Sequence, residues 1–247
     1  MQIIISPAKK MIVDEENFLP MSTPRYLQDT DQILQVMHAL SYADVQNLWH
    51  TSDKLTKENY QNLQHMDLQH PLTPAILSYS GIQYQYMAPS IFSSTALEYL
   101  QKTLWILSGF YGALRPFDGV VPYRLEMNSQ LQVADNKNLY EFWGDKLYRA
   151  VHRQGPIINL ASKEYSQAIT PYLEADDQFI DVIFTHFIDG KLKIKATLAK
   201  IARGEMVRFI VENQLTTIEQ LKSFQSATYT FDASLSTAKR LVFINKS

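Results

Sequence analysis

The chain has 247 residues, 46% of them hydrophobic, with 23 basic and 25 acidic side chains and a net charge of −2. That is enough apolar material for a substantial core, and the slight acidic balance argues against a nucleic-acid binder that is basic over its whole surface. Cysteine is absent, which excludes disulfides, thiolate metal sites and cysteine nucleophiles; with no signal-like or membrane-length apolar run, a cytoplasmic protein is expected.

Gln2 to Ile5 reads as a short buried strand, broken by Ser6-Pro7 and followed by a polar, irregular stretch to about Arg25. The spacing of Ile33, Leu34, Val36, Met37 and Leu40 predicts a helix, with shorter helices at Val45 to Trp49 and Leu55 to Leu63. Pro71 and Pro74 punctuate the next turn, before a helix over Ser94 to Gln101 and a strand over Thr103 to Leu107. Farther on, Phe142 to Arg153 has helical patterning and Pro156 to Leu160 that of a buried strand, with Ser162 placed as an N-cap before Glu164. Phe179 to Ile188 and Leu192 to Ile194 are β-patterned runs joined by Asp189-Gly190, a dipeptide suited to a type I′ turn. A helix over Leu198 to Val211, a capping box at Thr216 to Glu219, and strands over Thr228 to Phe231 and Leu241 to Ile244 complete the chain. With no linker, repeat or low-complexity tract, the expectation is a mixed α/β single domain spanning residues 1–247 around a mixed sheet.

Between the strand and helix of the middle region lies LSGFYGALRPFDGVVPYRLEM, Leu107 to Met127. Gly109, Gly112 and Gly119 permit positive φ or close backbone approach, while Pro116 and Pro122 forbid helix continuation, so a shaped loop is expected. Arg115, Asp118, Arg124 and Glu126 sit inside it, and charges on a rigid loop mark a candidate functional surface.

Basic residues concentrate near the C-terminal third, at Lys191, Lys193, Lys195, Lys200, Arg203 and Arg208, against the single acid Glu205. On a helix, Lys200, Arg203 and Arg208 fall within roughly 140° of one another, opposite Leu198, Ala202, Met206 and Phe209. A localised anion site is implied.

Other motifs say less. Ser6-Pro7-Ala8-Lys9 has the Ser-x-x-Lys spacing of certain acylating hydrolases, but the companion Ser-Asp-Asn and Lys-Thr-Gly elements are missing, and Ser52-Asp53-Lys54 is a partial echo. Ser6 and Lys9 are better read as strand-end groups facing an anion. The six histidines show no zinc spacing, Asp14-Glu15-Glu16 and Asp176-Asp177 form no calcium loop, and there is no Walker or dinucleotide glycine motif. No metal and no cofactor is expected.

Several long segments in fixed order carry a family resemblance: ISPAK at Ile5 to Lys9, SDKL at Ser52 to Leu55, the Leu107 to Met127 run, LYEFWGD at Leu139 to Asp145, NLASKEY at Asn159 to Tyr165 and AKIARGEMVRFI at Ala199 to Ile210. On these the chain resembles the YaaA family of peroxide stress proteins. The resemblance implies a cytosolic bacterial protein that limits hydrogen peroxide damage, associated with lower free iron and with DNA binding through a positively charged cleft and a helix-hairpin-helix-like element. Leu107, Gly109, Gly112 and Leu114 are the expected seat of that element, with glycine amides meeting a phosphate. Asn128, where glycine commonly follows Arg-Leu-Glu-Met, and Gln85-Tyr86-Met87, where a Gly-Leu pair is common, depart from the family pattern and concern local turn geometry.

Two functional expectations follow. In the first, Ser6, Lys9, Lys54, Gly109, Gly112, Arg115, Arg124, Lys195, Lys200, Arg203 and Arg208 hold duplex or distorted DNA through its phosphates, largely without sequence preference. In the second, an enzyme acts on a nucleobase, nucleotide or damaged DNA, using Lys9, Lys195 or Lys200 with a carboxylate such as Asp118 or Glu126, among polar residues that include Ser52, Asp53, Asp145, Asn159, Ser162, Glu164 and Tyr165. Direct iron chelation is discounted, since neither cysteine nor a histidine-carboxylate constellation is present.

Overall fold

Strand β1 (Gln2–Ile5) is buried at every residue because it is flanked on both edges and covered on both faces, the setting in which an unbroken apolar run is stable. The computed structural model describes residues 1–13, 19–69, 72–152 and 155–245. The acidic run Asp14-Glu15-Glu16, and also His70, Pro71 and Arg153, lie outside the described residues.

Eleven further strands follow among the described residues. The first are β2 (Lys10–Met11), β3 (Thr73–Pro74), β4 (Tyr79–Ser80), β5 (Leu104–Ser108), β6 (Gly112–Leu114) and β7 (Gly119–Val120). The rest are β8 (Ile157–Leu160), β9 (Phe179–Ile188), β10 (Lys191–Lys193), β11 (Tyr229–Phe231) and β12 (Arg240–Asn245). The main sheet has the order β11-β12-β9-β8-β1-β5-β6, with β10 added to β9 as a hairpin; β2 pairs with β4 and β3 with β7 in two small ladders. Pairs β1–β5, β1–β8, β8–β9 and β9–β12 are parallel, and β5–β6, β9–β10 and β11–β12 antiparallel, so the sheet is mixed as expected. From β1 the chain builds outward to β5 and β6, then returns to the other side of β1 for β8, β9 and β12. The direction of winding therefore reverses between β1 and β8, and in such sheets ligands bind in the crevice beyond the carboxyl ends of the strands at that reversal.

Most helices form where the periodicity places them. Leu27–His38, Tyr42–Trp49 and Asp53–Gln64 bury Ile33, Leu34, Met37, Val45, Trp49 and Leu63, and Ser41 starts the second through a reciprocal capping box with Asp44. Ser94–Thr103 begins on a Ser93 cap and runs into β5. The Phe142 to Arg153 expectation becomes two short helices, Leu139–Trp143 and Lys146–Val151, because Gly144 takes φ 49° between them. The late capping box sits one residue farther on than expected, between Thr217 and Gln220, where Thr217 Oγ1 accepts from the Gln220 amide. Asp189 and Gly190 both have positive φ, 53° and 73°, as a type I′ turn requires.

The seat expected for the helix-hairpin-helix-like element is overturned. Leu107 to Leu114 is a β-hairpin of β5 and β6, in register from Ile106 opposite Leu114 to Ser108 opposite Gly112. Leu104 to Ser108 is buried throughout and pairs on both edges, which extended backbone allows and a helix does not. At the turn Ser108 Oγ accepts from the Phe110 and Tyr111 amides, at 3.1 and 2.9 Å. Gly112 takes φ 75° beneath the Trp143 ring, where an added Cβ would sit 2.8 Å from ring carbon. Among the described residues no helix is long and apolar enough to cross a membrane.

The Ala196–Glu212 helix lies against the short helix Ile82–Met87. Gly204 makes this possible: a Cβ there would collide with the Gln83 carbonyl oxygen and lie 3.0 Å from the Met87 amide nitrogen. Neither neighbour is a side chain that can swing aside. The Gly204→Ala protein is expected to lose at least about 3 kcal/mol in urea unfolding, the upper range for overpacking a rigid site. Gly190→Ala, with φ 73° but open space around it, is expected to lose about 1–2 kcal/mol from backbone strain alone. Equal losses from the two substitutions would contradict the close-contact assignment.

Candidate functional site

The strand ends at the winding reversal carry their own link. Ile5 lies opposite Leu160 in the β1–β8 register, and just beyond it the Ser162 amide donates to Ser6 Oγ at 2.8 Å while the Ser6 hydroxyl donates to Ser162 Oγ at 3.2 Å. Tyr84 donates its hydroxyl to the Ser6 carbonyl at 2.9 Å. Ser6 is thus fixed from β8 on one side and from the Ile82–Met87 helix on the other. Such a fixed hydroxyl, with no helix following it, does not support the Ser-x-x-Lys acylating geometry, which needs the serine at a helix start.

Around this link opens a cleft of about 420 Å³. Five segments form it: Ser6 to Lys10 after β1, Ser80 to Tyr84, Tyr123 to Glu126, the residues after β8 including Ser162, Glu164 and Tyr165, and Lys200 with Arg203 on the long helix. Exposed lysines stand at its rim and the buried Tyr84, Tyr123 and Tyr165 at its inner wall. Tyr123 is held by the Ser108 hydroxyl at 2.6 Å and the Tyr79 hydroxyl at 2.8 Å, and burial pushes its phenol up to about 12. Glycines set the approach of these segments. An added Cβ at Gly81 would lie 3.0 Å from Ala8 Cβ, and one at Gly109 would lie 2.9 Å from the Glu126 carbonyl carbon.

Ser6, Lys9, Arg124, Glu126, Lys200 and Arg203 are therefore brought together, with Ser162, Glu164 and Tyr165. The other candidates lie elsewhere. Gly109 and Gly112 are buried packing positions, so neither presents an amide to a ligand. The Arg115 guanidinium donates to the Gln101 carbonyl and stacks 4.6 Å from the Trp105 ring centroid, tying the hairpin to the end of the Ser94–Thr103 helix. Asp118, 2% exposed, accepts from Ser22 Oγ at 2.6 Å and the Arg115 amide at 2.7 Å, which makes it a loop staple rather than a cleft acid. Arg208 pairs with Glu212 at 2.9 Å beside Tyr86 and Phe224. Lys195 is an exposed helix-start residue and Lys54 an exposed residue of the Asp53–Gln64 helix.

Of the remaining polar candidates, Ser52 stands at the N-cap position, without a side-chain capping bond, of the helix on which Asp53 accepts from Tyr42; Asp145 pairs with Arg149 at 2.6 Å, and Asn159 donates to Asp181 at 2.8 Å. Lys10, Ser80, Gly81 and Tyr84 line the cleft without having been singled out by sequence. The doubled lysine after Ser-Pro-Ala and the Ser80-Gly81 turn were the available signals. The two departures from the family pattern leave the site intact. Asn128 keeps negative φ and directs its amide to Glu164 Oε1 at 3.4 Å, and Met87 is buried where Gly204 meets the helix.

The cleft is cationic with an acidic patch. Lys9, Lys10, Arg124, Lys200 and Arg203 face Glu126 and Glu164, a net of three positive charges when all are ionised. Lys9 Nζ lies 2.6 Å from Glu126 Oε1. Among the described residues no carboxylate pairs with Arg124, Lys200 or Arg203, and the Nε atoms of both arginines are buried without a hydrogen-bond partner. Desolvation pulls the Arg203 guanidinium below its usual range. Glu164 is pushed up, first by desolvation and then by the Glu126 charge, against the lowering effects of the Asn128 amide and Lys9. Among the described residues no group of three histidine, aspartate or glutamate side chains is placed to hold a metal ion.

Residues 1–235 match the family model described as peroxide stress protein YaaA. The chain belongs to this family. Similar relatives bear the name UPF0246 protein. The one from Lactiplantibacillus plantarum is 56% identical over 245 residues, 99% of both chains. That from Lacticaseibacillus paracasei is 56% identical over 247 residues and 100% of both chains, and that from Agathobacter rectalis 47% over 247 residues, 100% of this chain and 99% of its own.

The raised Glu164 carboxyl has a signed consequence for stability. It keeps its proton to higher pH in the folded state than in the unfolded chain, so folding stability falls as pH rises from 4.5 through the raised value. Glu164→Gln removes that loss while keeping an oxygen for the Asn128 amide. Its urea midpoint, measured relative to the unsubstituted protein, is expected to rise between pH 4 and pH 7. A relative midpoint that falls over this range would contradict the assignment.

Proposed function

We propose that this peroxide stress protein acts by binding DNA in the cleft, through the phosphate backbone. One observation carries the reading: Arg124, Lys200 and Arg203 converge at the carboxyl ends of the central strands with no carboxylate partner among the described residues. Cations arranged without internal counterions are a site for external anions, and linked phosphates supply several at once. The cationic groups come from a loop and a long helix clamped by backbone contact at Gly204, so their spacing is set before anything binds. A cytoplasmic setting and an indirect link to free iron belong to this reading, DNA being the target that the protein shields.

Binding through about three phosphates gives a slope of log K against log salt near −2.7, at about −0.9 per phosphate. Arg124→Met and Arg203→Met are each expected to make that slope shallower by about 0.9. Arg208→Met, outside the cleft and paired with Glu212, is expected to leave it unchanged. Salt-insensitive binding, or an equal effect of Arg208→Met, would sink the proposal.

A second reading, an enzyme acting on a nucleobase, nucleotide or damaged DNA, is favoured by Glu164 alone. A half-buried carboxyl raised by desolvation keeps its proton to higher pH than an exposed one, as a general acid must. The lysine version of that chemistry has less support. Of the candidates Lys9, Lys195 and Lys200, Lys9 is the one paired with a carboxylate among the described residues, yet its side chain is 66% exposed, and nucleophilic lysines rely on desolvation.

A further inference from the structure

We propose that the cleft receives a single unstacked nucleotide, with its phosphate on Arg124, Lys200 and Arg203 and an amino-bearing base directed to Glu164. This rests on the preceding reading that nucleic acid binds here, and it specifies the form in which it does so. Three observations carry it: the size of the cavity, the placement of its carboxylates and the character of its inner wall.

A volume of about 420 Å³ corresponds to a rounded space about 9 Å across. That is within the range of roughly 300–1,000 Å³ typical of small-molecule sites. A duplex, whose major groove alone is about 12 Å wide, does not enter such a space. The rim can meet a duplex backbone, but only a nucleotide turned out of the stack reaches Tyr123, Tyr165 or Ser162.

Phosphate contacts alone give no use for the acids. Glu126 and Glu164 stand in the same cleft as the cations, and each ionised carboxylate repels an incoming phosphate by about 1 kcal/mol at 4 Å in water and more in a sheltered cleft. A ligand that gains from them must donate hydrogen bonds. Adenine, cytosine and guanine carry exocyclic amino groups, whereas thymine has only its N3–H, flanked by two carbonyl oxygens that repel a carboxylate. Glu126 is partly neutralised by Lys9, which leaves Glu164, held by the Asn128 and Met127 amides, as the cleft carboxyl in no salt bridge among the described residues. The rest of the wall suits a flat heterocycle: Pro7, Ala8 and Ile82 are half-buried apolar surface, and Tyr84, Tyr123 and Tyr165 close the inner end. Sequence-tolerant contact of a base with such surfaces is how unstacked nucleotides are usually held.

The test uses the full chain and three kinds of probe: deoxynucleoside monophosphates, single-stranded DNA, and a duplex carrying 2-aminopurine opposite a mismatch. The monophosphates of adenine, cytosine and guanine are expected to bind about tenfold more tightly than that of thymine and to compete with single-stranded DNA. The 2-aminopurine signal should rise on binding as the base leaves the stack. Glu164→Gln should compress the preference over thymine while retaining phosphate-dependent binding, Arg203→Met should abolish monophosphate binding, and Arg208→Met should change neither. Duplex binding with no fluorescence change and no competition by monophosphates overturns the nucleotide pocket and leaves the DNA reading standing. Binding of monophosphates without binding of any DNA supports the pocket and overturns the DNA reading. Equal affinity for all four monophosphates overturns the role given to Glu164.

Discussion

At Gly204 the Ala196–Glu212 helix rests on the backbone of the Ile82–Met87 helix, with no side chain between them. Backbone contact is less forgiving than side-chain packing, because neither partner has a rotamer with which to adjust. Lys200 and Arg203 lie on the turn just before Gly204, and Gly81 to Tyr84 form the start of the opposing helix and its entry. The same contact therefore fixes the distance between the cationic wall and the wall that holds Ser6 through Tyr84. The cleft is a consequence of two helices meeting more closely than any residue but glycine allows.

The Leu107 to Met127 run divides its charges between two tasks. Arg115 and Asp118 are turned inward to the fold, one stacked on Trp105 and bonded to the Gln101 carbonyl, the other collecting a hydroxyl and an amide. Arg124 and Glu126 are carried to the cleft. The glycines serve this division. Gly112 admits Trp143, whose indole donates to the Gly109 carbonyl at 2.9 Å, and Gly109 admits the Glu126 backbone. The second half of the run is thus pressed against the first, and the two functional charges emerge from a segment with little freedom.

Much of the fold was legible because hydrophobic spacing reports burial directly. β1, β8, the β9–β10 hairpin with its Asp189-Gly190 turn, and the basic face of the long helix all follow from local pattern. The failures share one cause: local spacing does not reveal what lies on the other side of a residue. Leu107, Gly109, Gly112 and Leu114 have the layout of a glycine turn between helices, yet neighbours on both edges of β5 make the segment a strand. Arg115 and Arg124 look equivalent in sequence, but the Trp105 ring, ten residues earlier, and the Gln101 carbonyl draw the first away. Arg208 lies on the helical face predicted for it, but it stands beyond the contact with the Ile82–Met87 helix and finds Glu212 instead. Convergence at the cleft depended on the winding reversal between β1 and β8, which no single segment encodes.

The hydroxyls behind the cleft wall have a direction imposed from outside it. Ser108 Oγ spends both lone pairs on the Phe110 and Tyr111 amides at the hairpin turn, so its own proton goes to the Tyr123 oxygen, beside which Tyr79 is also placed. Two peptide N–H groups in a tight turn thereby set the direction of a hydroxyl proton aimed at a phenol they never touch. The Tyr123 oxygen behind the inner wall thus receives a proton whose direction the backbone sets before any ligand arrives.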